Sequence, residues 1–310
     1  MISPHTEEAA MSTETVDPRF VDIDQWPTEA AVDAMLEGQL AAVASIKSQV
    51  PAIAAAAEDA ARRLRRSGRL VYAGAGTSGR IAVQDGVELF PTYNWPQERL
   101  VFLMAGGQSA LTESAEGAED DGDAAREAVA AAGVGASDVL IGVAASGRTP
   151  YTISAVDAAR EAGALTIGIA NNVGAPLLAA AHHGLLADTG SEVVAGSTRM
   201  KAGTAQKAVL NMLSTAIMLR RGLIYRGLMV NMRVSNEKLL HRGHAIIRDI
   251  TGVDEEVATR ALDDAGMEIK HGVLIALGAT PEEADQLLHD HHENLRPAMA
   301  ALRAREPADA

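Results

Sequence analysis

The 310-residue chain has no cysteine, which excludes disulfide cross-links, thiolate zinc sites and thiol nucleophiles. Aromatic residues are scarce, at 3% of the chain. The core must then be built from Ala, Leu, Val and Ile, which suits closely packed helices and buried parallel strands better than an aromatic-rich β-sandwich. Positive charge is also in short supply. The formal net charge is −14, and the longest basic cluster is Arg62-Arg63-Leu64-Arg65-Arg66. The basic face that nucleic-acid binding requires is therefore missing. That cluster closes an Ala-rich helical pattern, where cations complement the helix dipole as a solvated end. No apolar run is long enough to be read as a bilayer span and no secretory signal is recognised, so the cytoplasm is the expected location.

What is present is a soluble globular composition, 47% hydrophobic and 22% charged, in a chain long enough for one main domain plus a small one. Residues 28–67 carry a long helical pattern broken near Pro51 and ended by Gly68. Short apolar runs follow at Arg69–Ala73, Leu100–Met104, Asp138–Val143, Leu165–Ile169 and Leu185–Ala187. Helical stretches are expected between most of them, near 78–90, 112–132 and 150–163. Strands alternating with helices predict an α/β fold, a doubly wound parallel sheet covered on both faces with right-handed crossovers. From residue 200 the pattern is helical again, with amphipathic runs over Lys201–Gly222 and Asn231–Asp249. The tail holds two related helix starts, Asp254-Glu255-Glu256 and Pro281-Glu282-Glu283, each acidic in its first turn. The expected organisation is an N-terminal segment (1–27), a main domain (28–250) and a small helical C-terminal domain (251–310).

In an open parallel sheet, ligands bind outside the carboxyl ends of the strands. Three loops there carry anion-binding chemistry: Gly74-Ala75-Gly76-Thr77-Ser78-Gly79-Arg80, Ala144-Ala145-Ser146-Gly147-Arg148-Thr149-Pro150, and Gly196-Ser197-Thr198-Arg199-Met200-Lys201. Glycines let the backbone approach an anion, hydroxyls donate to it, and a helix N-terminus favours negative charge. Gly76, Thr77, Ser78, Ser146, Gly147, Arg148 and Thr149 are the candidate phosphate ligands. Arg80 and Arg148 could pair with phosphate or tie loops together, and Lys201 and Lys207 suit salt bridges equally well. The first loop also fits Gly-x-Gly-x-x-Gly. A dinucleotide site, however, needs an acid at the end of the next strand, and Ala105-Gly106-Gly107-Gln108 has none. His289-Asp290-His291-His292 is not a metal site on a helix, because adjacent residues point in different directions.

Further motifs carry a family resemblance. Asp85 through Glu88 to Pro91-Thr92-Tyr93, Glu116-Gly117-Ala118-Glu119-Asp120, Gly168-Ile169-Ala170-Asn171 and the long run from Glu192 to Thr215 join the first two loops. Together they resemble the sugar isomerase domain of the N-acetylmuramic acid 6-phosphate etherases, a flavodoxin-like fold also used by the glucokinase regulatory protein. The likeness is close over residues 70–240 and looser on the flanks. It implies a carbon–oxygen lyase of amino-sugar catabolism and peptidoglycan recycling. Such an enzyme cleaves the D-lactyl ether of N-acetylmuramic acid 6-phosphate to N-acetylglucosamine 6-phosphate and D-lactate, by elimination then hydration. It implies no metal or organic cofactor, a phosphorylated amino sugar as partner, and a homodimer. Glu88 stands at the family's acid and Glu119 at its base. The apolar neighbours of Glu88, from Val87 to Pro91, suggest a desolvated carboxyl that holds its proton. Other products of the same domain are a phosphosugar-binding regulator without turnover or a sugar-phosphate isomerase. Two departures stand out: Leu89-Phe90-Pro91-Thr92 replaces Cys-Pro-Pro-Thr, and Asn231 replaces an Asp.

Overall fold

The structure, a computed structural model, describes residues 11–65, 67–113 and 115–305. Contacts divide the chain into two compact units, Met1–Gly86 with Glu98–Ser214, and Val87–Gln97 with Thr215–Ala310.

Short 3-10 turns at Ser12–Glu14, Pro18–Phe20 and Ile23–Gln25 lead into α1 (Thr28–Ser45) and α2 (Val50–Leu64). Then follow β1 (Leu70–Gly74), α3 (Gly76–Val87), α4 (Leu89–Tyr93), β2 (Leu100–Met104), α5 (Gly122–Ala131), β3 (Val139–Val143), α6 (Pro150–Glu161), β4 (Leu165–Ala170), α7 (Pro176–Ala180), β5 (His183–Leu186) and α8 (Lys201–Arg220). The break between α1 and α2 is a 3-10 turn at Ile46–Gln49, and Pro51 opens α2, where its missing N–H costs nothing. Contrary to the expectation that no apolar run could span a bilayer, Thr28–Leu64 is long and apolar enough, by length and composition, to do so. Its apolar content is divided between two uses. Ile53, Ala56, Ala57, Ala60, Ala61 and Leu64 bury one face of α2, which packs on β3, β4 and β5. Val32, Leu36, Leu40 and Val43 of α1 are exposed.

The sheet is five-stranded and parallel, in the order β2-β1-β3-β4-β5. Every residue of β1, β3 and β4 is buried, as expected for central strands covered on both faces. On one face Val71, Ala73, Leu140, Ala155, Val156 and Leu177 share a core. On the other, Tyr72 stacks on Phe102 with ring centroids 5.8 Å apart. Its hydroxyl donates to Asp85 (3.1 Å), which also accepts from Asn211 (2.7 Å) and Ser214 (3.2 Å) of α8. Burial pushes the Asp85 carboxyl above its ordinary pKa, against the pull of these donors and of Lys207.

The expected helix over 112–132 forms in its second half, as α5, preceded by a 3-10 turn at Ala118–Asp120. Gly117, with positive φ, interrupts the helical pattern ahead of it.

The second unit contains α4, the end of α8, then α9 (Glu237–Thr251), α10 (Glu255–Asp264), α11 (Ile269–Ala276), α12 (Pro281–Asp290) and α13 (Leu295–Arg303). Its core is built from Ile246, Ile247, Leu262, Val273, Leu274, Leu287 and Leu288. The two related starts in the tail open α10 and α12. Asp254 accepts from the Val257 N–H, and Thr280 forms a capping box with Glu283. Among the described residues no group of three or more His, Asp or Glu gathers as metal ligands.

At the amino end of the sheet Asp138 accepts from the Arg69 guanidinium (2.6 and 3.2 Å) and from the Arg69 and Gly135 N–H groups (2.9 and 3.0 Å). Burial pushes its pKa up, but these donors and the Arg69 charge more than offset that and hold it below the ordinary value. The stabilisation is therefore present above the ordinary Asp pKa and is lost as pH falls through the lowered one. Asp138→Asn is expected to cost about 2 kcal/mol in urea unfolding at pH 7. The difference from wild type should shrink below about pH 4.

Candidate active site

The strand order places a topological switch point between β1 and β3. From β1 the chain moves outward to β2 on one side, then returns to β3 on the other. The loops leaving the carboxyl ends of β1 and β3 diverge there and leave a crevice. Both Ser-Gly-Arg loops flank it.

The β1 loop turns directly into α3, whose first intrahelical bond runs from the Gly79 N–H to the Ala75 carbonyl at 3.0 Å. The preceding N–H groups, those of Gly76, Thr77 and Ser78, have no intrahelical acceptor. The helix can begin this close to the strand because Gly74 and Gly79 touch. A Cβ on Gly79 would lie 2.4 Å from Met104 Sδ and 2.9 Å from the Gly74 carbonyl carbon. The β3 loop does the same at α6. Thr149 is the N-cap, its hydroxyl makes no capping bond, and Pro150 opens the helix. Ser146 Oγ accepts from the Arg148 N–H at 3.1 Å. Gly147 has φ +63°, and a Cβ there would meet Ala175 Cβ at 2.4 Å and Ala170 Cβ at 2.9 Å.

These loops wall a cavity of about 390 Å³ lined by Gly76, Thr77, Ser78, Ser146, Arg148 and Thr149, with Met11, Glu14, Glu119, Asp120 and Thr198. That size suits a small ligand. Six of the seven sequence-selected phosphate ligands therefore meet, and Gly147 is the turn that shapes the seventh position. The Arg148 side chain makes no hydrogen bond or ion pair among the described residues and stays available to an anion. Arg80 does not. Its guanidinium donates to the carbonyls of Ala110 (3.0 Å), Leu111 (3.2 Å) and Glu113 (2.9 Å). It ties down the irregular segment ahead of Glu119.

The third loop differs from its sequence reading. The N-terminus of α8 already holds an anion of the protein's own. The fully buried Glu192 carboxylate accepts from the Lys201 and Ala202 N–H groups, both at 2.9 Å. Lys201 Nζ donates to the Ser191 carbonyl at 2.8 Å. A phosphate has no place there, and this loop contributes Thr198 to the cavity instead. Thr198 lies in a loop already read as anion-binding, whereas the capping of α8 by Glu192 was not anticipated.

Glu119 is exposed on its 3-10 turn and lines both this cavity and an adjoining one of about 300 Å³. Glu88 belongs to the second unit, as N-cap of α4. It is exposed while Leu89 is buried, so the desolvated setting expected from its neighbours is not found. α4 is held by the Asn231 amide, which donates to the Tyr93 carbonyl at 2.6 Å, and by Arg233 stacked 5.5 Å from the Phe90 ring centroid. An Asp at 231 could not donate that bond.

Comparison with known proteins decides the family. A model for the SIS domain matches residues 120–216, and one for the glucokinase regulatory protein N-terminal SIS domain matches residues 52–160. An N-acetylmuramic acid 6-phosphate etherase of Deinococcus radiodurans is 48% identical over 277 residues, 89% of this chain and 91% of that one. One from Streptomyces avermitilis is 46% identical over 301 residues, 96% of each chain. This chain belongs to the N-acetylmuramic acid 6-phosphate etherase family. The parallel sheet and flanking helices of this family member also match a Bacteroides fragilis protein described as a phosphosugar isomerase involved in capsule formation. The TM-score is 0.51 at 21% identity, over 65% of this chain and 95% of that one.

Ser146→Ala is expected to leave thermal stability in place and weaken N-acetylglucosamine 6-phosphate binding about tenfold by calorimetry. Gly147→Ala is expected to lose both binding and about 3 kcal/mol of stability, through strain and overpacking.

Proposed function

We propose that this protein is an N-acetylmuramic acid 6-phosphate etherase, a carbon–oxygen lyase that releases lactate and N-acetylglucosamine 6-phosphate. The observation that carries this reading is the 48% identity to a named etherase over 89% of the chain, joined to a cavity at the β1/β3 switch point lined by hydroxyl groups and Arg148. The 6-phosphate sits against the opening N–H groups of α3 and the hydroxyls of Thr77, Ser78, Ser146 and Thr149, with Arg148 as counter-charge. With the sugar ring open, the C1 aldehyde acidifies the C2 proton. Glu119 takes that proton, and Glu88 gives one to the ether oxygen at C3 as the C3–O bond breaks. The products of this step are lactate and an unsaturated aldehyde. Water then adds at C3 and a proton returns to C2. Glu119 is supported by its place on the cavity wall, and Glu88 by the motif it shares with the family. A phosphosugar-binding regulator and a sugar-phosphate isomerase are disfavoured by the relatives' names.

A homodimer is part of the same proposal. Val32, Leu36, Leu40 and Val43 lie on one face of α1 and are each more than half exposed, an apolar stripe that a second copy can cover in a two-fold contact. Leu36→Asp with Leu40→Asp is expected to convert the dimer to a monomer in light scattering. An unchanged mass would place the interface elsewhere.

The reaction is tested by incubating N-acetylmuramic acid 6-phosphate with the protein in deuterated water. Lactate should appear, with deuterium at C2 of the product. Glu88→Gln and Glu119→Gln should each lower kcat at least about a hundredfold. C2 exchange should survive only in Glu88→Gln. Tight phosphosugar binding without lactate would leave the regulator reading in its place.

A further inference from the structure

The segment preceding α1 is fastened to the cavity. Thr13 is fully buried. Its hydroxyl accepts from Asn172 Nδ2 at 3.1 Å, and its carbonyl accepts from the Gly196 N–H at 3.1 Å. Asn172 Oδ1 accepts from the Ser12 hydroxyl at 3.1 Å and the Thr13 N–H at 3.4 Å. The same Asn172 amide donates to the Ala145 carbonyl at 2.9 Å, one residue before Ser146. A buried polar latch thus joins residues 12–13 to the β3 loop and to the loop carrying Thr198. The next residue, Glu14, lines the cavity, and its side chain makes no hydrogen bond or ion pair among the described residues. Its carboxylate turns toward Gly196, where a Cβ would lie 2.8 Å from Oε2.

A carboxylate on the wall of a phosphate pocket needs a reason, because like charges repel at this range. Glu14 cannot face the phosphate, which the N–H and hydroxyl groups of the α3 and α6 openings already suit. It has only lone pairs to offer. What remains of N-acetylglucosamine 6-phosphate is neutral and rich in donors, its hydroxyls and its acetamido N–H, and N-acetylmuramic acid 6-phosphate keeps the same acetamido donor beside its lactyl carboxylate. We propose that Glu14 is a positioning residue whose carboxylate accepts a hydrogen bond from the sugar portion of the ligand. By this contact the latched segment distinguishes amino-sugar phosphates from phosphate alone. The inference rests on the phosphosugar-binding reading of the cavity but not on turnover.

The test measures binding by calorimetry with two probes, N-acetylglucosamine 6-phosphate and inorganic phosphate, alongside lactate release. Glu14→Ala is expected to weaken N-acetylglucosamine 6-phosphate about tenfold or more, the loss of a hydrogen bond to a charged acceptor, and to leave inorganic phosphate unchanged. In the etherase assay KM should rise by a similar factor while kcat changes little. Glu14→Gln keeps an acceptor oxygen and should recover most of the affinity. Unchanged sugar-phosphate affinity in Glu14→Ala, or an equal loss for both probes, overturns the proposal. If wild type releases no lactate but the two probes still separate, the etherase reading fails and the Glu14 contact stands.

Discussion

Connections that leave the paired strands β1 and β3 in opposite directions impose the constraint from which the rest of the site follows. The strand order leaves one crevice at the carboxyl edge, and two helices open into it with uncommitted N–H groups. Everything nearby serves that opening. Gly74 and Gly79 let α3 begin almost on the strand, and the turn at Gly147 packs against Ala170 and Ala175. Asp85 joins β1, α3 and α8 from beneath through Tyr72, Asn211 and Ser214. At the far end of the strands, Asp138 and Arg69 lock the start of β1 to the approach to β3.

The helix openings differ in what already occupies them. α8 has the same dipole as α3 and α6, but Glu192 occupies it permanently. A helix N-terminus with a buried carboxylate two hydrogen bonds deep has no remaining demand for an anion. This difference, rather than loop composition, separates the α8 opening from those of α3 and α6. Acidic groups then define the rest of the cavity. Glu14, Glu119 and Asp120 share its wall with the hydroxyl donors.

The strands were legible because each is a short, mostly apolar run between helical patterns. The helix starts at Asp254 and Thr280 were legible because capping is local chemistry. The anion loops were legible for the same reason, Gly, Ser and Thr placed where a strand meets a helix. What escaped was set by distant partners. The α8 loop looks like a phosphate cradle until Glu192 folds over it. For Arg80 both a phosphate contact and a loop tie were open, and three carbonyls of residues 110–113 decide for the tie. The segment after β2 is rich in Ala and Glu, which favour helix, yet Gly106, Gly107 and Gly117 divide it. Glu88 sits among apolar neighbours in sequence, but Leu89 takes the buried direction. Glu14 is joined to the cavity through an Asn172 bond spanning 159 residues, which no local pattern encodes.

The most direct measurement is a crystal structure with N-acetylglucosamine 6-phosphate bound. The phosphate oxygens should lie about 3 Å from the N–H groups opening α3 and from the Ser146 and Thr149 hydroxyls, with the α8 N-terminus still closed by Glu192. A phosphate bound at α8, or outside the β1/β3 crevice, would contradict the switch-point site.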